Sequence, residues 1–113
     1  APVDGATSVS TAVQPAIEFD EAIDARTVKA TTLFLLDAWA RVIPVDYAFS
    51  ADYHTVTLLP VTALSADTHY WIVVTKGIRD LAGGNAYDGL GGELVEKPGL
   101  MQTCFSTGVA ACP

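Results

Sequence analysis

His54-Thr-Val-Thr-Leu-Leu-Pro-Val-Thr-Ala-Leu-Ser-Ala-Asp-Thr-His-Tyr-Trp-Ile-Val-Val-Thr-Lys76 holds two runs of period-two alternation around a short polar break. In the first run, His54 to Pro60, Val56 and Leu58 fall on one face and Thr55 and Thr57 on the other. In the second, His69 to Lys76, Tyr70, Ile72 and Val74 share one face, and Trp71, Val73 and Thr75 the opposite one. Alternation in segments rich in β-branched and aromatic residues predicts strands. Ser65-Ala-Asp-Thr68 has turn composition and predicts a reversal between them.

The same period continues in both directions. Val13, Pro15, Ile17 and Phe19 alternate with Gln14, Ala16 and Glu18. Pro15 has no N–H to give a ladder, so this strand belongs at a sheet edge. Asp24 is a plausible helix N-cap, and Ile23 and Val28 can pin one short helical turn near residues 24–30 to the core. Thr32 to Asp37 predicts a strand, Asp37-Ala-Trp-Ala-Arg41 a hairpin connection, and Val42 to Phe49 another strand. Ser50-Ala-Asp-Tyr53 reads as a turn, the glycine-rich stretch 81–99 as a long loop, and Leu100 to Thr107 as the last strand. A short piece near Val9 completes about seven strands. No amphipathic pattern of helical length appears, and there is no βαβ alternation, so the expected class is all-β, an antiparallel β-sandwich.

The chain has 113 residues, 50% apolar and 17% charged, which suits one domain with one core. Six basic against thirteen acidic residues give a net charge of −7, which repels a phosphate backbone and argues against nucleic-acid binding. The apolar runs, such as Leu33 to Leu36, are too short to insert in a bilayer. Residues 1–113 read as a single domain excised from a larger exported protein.

The order of motifs resembles a known family. Pro2-Val-Asp-Gly-Ala-Thr-Ser-Val9 is followed by Ile17-Glu-Phe-Asp-Glu-Ala-Ile-Asp24, Thr27-Val28 and Thr32-Leu-Phe-Leu35. Then come Val56-Thr-Leu-Leu-Pro60, Leu64, Tyr70-Trp-Ile-Val-Val74, Gly77-Ile-Arg-Asp-Leu-Ala-Gly83 and Phe105-Ser-Thr-Gly108. This resembles the bacterial immunoglobulin-like domains of the SbsA type, repeated in S-layer proteins, adhesins and secreted multidomain enzymes. The resemblance implies an immunoglobulin-like sandwich and a non-catalytic spacer or interaction module, secreted or on a bacterial cell surface. Its partners would be neighbouring domains of the same chain or cell-surface proteins, with no cofactor. The alternatives are an accessory domain of a secreted enzyme, or an adhesion module binding Ca²⁺ or glycans. The chain departs from the family pattern in the additional glycine of Gly83-Gly84-Asn85, in a longer following loop, and in its two cysteines.

Cys104 and Cys112 are eight positions apart, and in an exported protein they are expected to form a disulfide. Closing so short a loop removes unfolded-state entropy worth about 2.6 kcal/mol. Free thiols of a cytosolic protein are the alternative. The two histidines, His54 and His69, have no second ligand at metal-binding spacing, and no nucleophile elbow or phosphate-cradling loop is present. The acidic residues Asp20, Glu21, Asp24, Asp80 and Asp88 could at most hold Ca²⁺ weakly, because hard cations want several oxygens converging. A solvated acidic face is the favoured reading of the cluster around Asp20, Glu21 and Asp24. Gly83 to Gly91 resembles one imperfect unit of a Ca²⁺-binding nonapeptide, which binds only between stacked repeats. Trp39 in the hairpin connection could stack on a sugar, but one aromatic is not a platform.

Further expectations are geometric. Ile17, Phe19, Leu35, Val56, Leu58, Ile72, Val74 and Phe105 form the core. Tyr70, six residues after Leu64, makes a tyrosine corner with the intervening turn. Trp71 and Val73 point away from the core. The loop Gly83–Gly99, with Tyr87, Leu90, Leu94 and Val95, is expected to fold back over them; the competing reading leaves Trp71 open for a docking neighbour. Trp71, Val73 and Trp39 are the candidate partner contacts.

Overall fold

The computed structural model describes residues 2, 5–19, 21–75, 77–79, 95–97, 100–110 and 112, with the side chains of 95–97 and 100–102 left aside. Among the described residues, eight strands form two antiparallel sheets. They are β1 (Ala16–Glu18), β2 (Leu33–Leu36), β3 (Val42–Ile43), β4 (Val45–Phe49), β5 (Thr55–Pro60), β6 (His69–Thr75), β7 (Val95–Lys97) and β8 (Leu100–Ser106). One sheet has the order β1-β5-β4 and the other β3-β2-β6-β8-β7. The all-β sandwich expected from the alternation is the observed architecture.

All eight expected core residues are buried, and Ile23, Leu33, Leu64, Tyr70 and Ile78 join them. β2 and β6 pair with Leu33 opposite Val74 and Leu35 opposite Ile72, so these four side chains reach one face together. Val56 and Leu58 of β5 and Ile17 of β1 face them from the other sheet.

The edge position argued for Pro15 holds: β1 is an outer strand, and the Pro15 carbonyl accepts from Leu58 N–H at 2.7 Å. The paired strand, Ala16–Glu18, is shorter than Val13–Phe19, and the hydrogen bonds from Leu58 N–H to the Pro15 carbonyl and from Phe19 N–H to the His54 carbonyl, 2.7 Å, flank it. The expected strand Val42–Phe49 is divided. Pro44 separates β3, in the five-stranded sheet, from β4, in the three-stranded sheet. With no N–H, Pro44 cannot donate to either ladder, and the chain changes sheets there. The shared face survives the change: Ile43, Val45, Tyr47 and Phe49 all pack against the core. The Tyr47 hydroxyl donates to the Leu33 carbonyl and ties the two sheets together.

The expected turn near Asp24 is a single 3-10 turn, Ala25–Thr27, whose Asp24 side chain accepts from Arg26 N–H at 3.1 Å. Stretch 81–99 is not loop throughout. Val95–Lys97 is a strand that pairs Lys97 with Leu100. The piece near Val9 runs beside the far half of β8. Gly5 N–H donates to the Cys104 carbonyl at 2.7 Å, and Val9 N–H to that of Ser106 at 3.0 Å. This segment bridges Ala6 to Phe105 in parallel, and so extends the sheet along β8 beyond the β7 pairing.

Candidate functional site

The site follows from register. Val42 pairs with Leu36, Leu36 with Trp71, and Trp71 with Cys104. Directly opposed residues of antiparallel strands project to the same side, so the four make one row across the outer face of the five-stranded sheet. Trp71 and Leu36 are half-buried and Val42 is 49% exposed. At the Cys104 end of the row, the Cys112 sulfur stands at disulfide distance, 2.05 Å, with the Cα atoms 6.2 Å apart.

At the other end lies the hairpin between β2 and β3. Asp37 shapes it. One carboxylate oxygen accepts from the backbone N–H of Trp39 and of Arg41, each at 2.9 Å. The other accepts from the Arg41 guanidinium Nε at 2.8 Å. Ala40 completes the reversal with a φ of 59°. Burial works against charge on Asp37. The backbone N–H groups and the Arg41 guanidinium outweigh it and hold the carboxyl below its ordinary value. The tight loop pushes Trp39 outward, where 68% of it is exposed. The Arg41 guanidinium sits 5.2 Å from the Trp39 ring centroid, a cation–π contact. Between loop and sheet is a hollow of about 330 Å³ lined by Leu36, Asp37, Ala38, Ala40 and Trp71. The imidazole of His69 meets the edge of Trp71, with centroids 6.4 Å apart.

Of the three contact candidates, Trp39 is open and Trp71 forms a wall of the hollow. Val73 is only 2% exposed, although it lies outside the core cluster. It therefore offers little surface to a partner. The loop expected to cover it, with Tyr87, Leu90 and Leu94, lies outside the described residues, as does the Val95 side chain. Residue-by-residue reading of Trp39 missed Leu36, Ala38, Ala40 and Val42. The signal was available only by pairing the strand Thr32–Asp37 with His69–Lys76 in register.

Asp20, Asp80 and Asp88 lie outside the described residues. The Asp24 carboxylate is engaged by Arg26, through Nε at 3.0 Å and Nη2 at 2.9 Å. That contact, foremost, lowers its pKa from the ordinary value. Glu21 is exposed. Among the described residues no three His, Cys, Asp or Glu converge to hold a metal ion. His54 Nδ1 lies 3.0 Å from the Phe19 carbonyl, so that nitrogen carries the proton and the ring fastens a strand end. Among the described residues no helix is long and apolar enough to cross a membrane.

The comparisons with known proteins agree with this architecture. A family model described as a bacterial Ig-like domain matches residues 1–107. Among solved structures, that of surface layer protein SbsC, domains 1-6, is similar with a TM-score of 0.60 and 14% identity. The likeness covers 91% of this chain and 13% of that one. No curated protein matches the chain.

Proposed function

The chain belongs to the bacterial immunoglobulin-like domain family, and we propose that it serves as a non-catalytic spacer and interaction module of a secreted or cell-surface multidomain protein. The observation that carries this reading is the match of 91% of this chain to 13% of a surface layer structure spanning domains 1-6. A fold of this kind hosts many functions, so the argument must rest on the surface. The hollow beside Trp71 supports contact with protein rather than sugar. Its one charged wall residue, Asp37, already receives three hydrogen bonds on its two oxygens. A sugar needs unspent polar groups around an aromatic face, whereas an apolar side chain needs only the alanines, Leu36 and Trp71. Exposed Trp and Arg, here Trp39 and Arg41, are the residue types that dominate protein contacts. We read Cys104–Cys112 as oxidised in the exported protein, where it pins the segment after Gly108 to β8.

Replacing the domain in its parent chain with a flexible linker of equal reach tests the reading. A spacer's loss leaves any catalysis of the parent intact and disturbs the placement or docking of its neighbours. Loss of turnover by otherwise folded neighbours would instead assign the domain a part in chemistry.

A further inference from the structure

Among the described residues, the outer side of β4 is an open hydrogen-bonding edge. Ser50 N–H donates to the Thr55 carbonyl at 3.0 Å, and Val61 N–H to that of Pro44 at 3.1 Å. In an antiparallel ladder the residues that bond to one neighbour alternate with those that point away from it. Pro44, Asp46, Ala48 and Ser50 therefore face β5, and the N–H and C=O groups of Val45, Tyr47 and Phe49 point outward. β4 ends its sheet, and no backbone partner meets these groups among the described residues. The other sheet edges are shorter: β1 and β7 have three residues each and β3 has two, against five in β4. Natural edges are blunted by proline, charge or short length, and within β4 only Asp46 serves that purpose.

We propose that β4 pairs with β4 of a second copy of this chain, antiparallel and centred on Tyr47. The register is self-complementary. Tyr47 faces the second copy's Tyr47, Val45 faces Phe49, and Asp46 faces Ala48. All three outward residues then fall at hydrogen-bonded positions, and the two three-stranded sheets join into one of six strands. No like charges stand opposite each other, because each Asp46 meets an alanine. Each copy carries a net charge of −7, so the approach is opposed by long-range repulsion that salt screens. The pairing is weak and strengthens with ionic strength.

Sedimentation of the full chain over concentrations up to about 1 mM, at about 20 and 200 mM salt, measures it; the Debye length falls from about 20 to 7 Å across that change. A monomer–dimer equilibrium favoured by salt is expected. Ala48→Lys places a cation opposite each Asp46 and should tighten the dimer by about threefold or more, and Ala48→Asp should loosen it comparably. Ala66→Lys makes the same charge change in an exposed turn and should tighten it far less. The backbone amides of Val45, Tyr47 and Phe49 should gain protection from exchange as concentration rises. Ala48 lies outside the core cluster, and thermal unfolding of the dilute variants checks their fold. A monomer at every concentration and salt, or a dimer indifferent to the sign of the charge at 48, overturns the proposal. So does equal tightening by Ala48→Lys and Ala66→Lys.

Discussion

The backbone N–H of Ser65 donates to the Tyr70 hydroxyl at 2.8 Å, closing the turn between β5 and β6 onto the first residues of β6. Tyr70 is 3% exposed, and its ring stacks on Phe105 with centroids 5.7 Å apart. The phenol thus reaches from the core back to the turn, the arrangement expected of a tyrosine corner. Tyr70→Phe keeps the ring and leaves the Ser65 amide without its acceptor. The expected cost is about 1–2 kcal/mol in denaturant unfolding. An unchanged midpoint would mean that water satisfies the amide as well as the phenol does.

Gly108 sits against the same turn. A Cβ there would lie 2.8 Å from the Asp67 Cα and 2.7 Å from its Oδ1. Asp67 holds a φ of 51°, so the turn has little freedom to retreat. Gly108→Ala is expected to destabilise by about 1–3 kcal/mol, as overpacking does, without changing the fold seen by circular dichroism. Equal melting temperatures would show that the turn yields.

The pair Cys104 and Cys112 makes a separate prediction. Intact mass after alkylation without reductant should show no labelled thiol. Reduction should lower stability by about 2.6 kcal/mol, the loop-closure value for this spacing. Two labelled thiols in the unreduced protein would refute the bond.

Acid should destabilise the domain. Asp24, Asp37 and Asp52 all have carboxyls held below their ordinary value. For Asp24 the leading cause is Arg26, and for Asp52 it is the Ser50 hydroxyl. For Asp37, burial opposes the shift and the Trp39 and Arg41 donors prevail. A depressed folded pKa gives stability that is complete above the unfolded value and is lost as pH falls through the folded one. The melting temperature should therefore hold from neutral pH to about 5 and fall below about 4. Asp37→Asn should lower it most at pH 7, with the gap to the unmodified protein narrowing toward pH 2. A gap that is constant with pH would remove Asp37 from the acid response.

The core was legible because each of its strands alternates over a buried face; Val56, Leu58, Ile72 and Val74 needed no tertiary information. The division at Pro44 was not, since Ile43, Val45, Tyr47 and Phe49 keep one inward face while their ladder passes from one sheet to the other. Period two reports which side is buried and is silent on which neighbour is bonded. β7 was hidden for a different reason. Val95-Glu-Lys97 is too short to alternate, and Pro98-Gly99 before Leu100 was the only hairpin cue. The candidate site was half legible. Trp39 and Trp71 were visible as aromatics without a core role, but the hollow between the hairpin and Trp71 arises from the pairing of Leu36 with Trp71.

The central claim, that the Trp39 hairpin and the hollow beside it meet a neighbouring protein surface, is tested most directly by the emission of Trp39. Trp71→Phe leaves Trp39 as the only reporter. In the isolated domain its emission should be red-shifted and readily quenched, as its 68% exposure requires. In the parent chain, with its neighbouring domains attached, the account predicts a blue shift and protection from quencher. Emission and quenching identical in the two forms would contradict it.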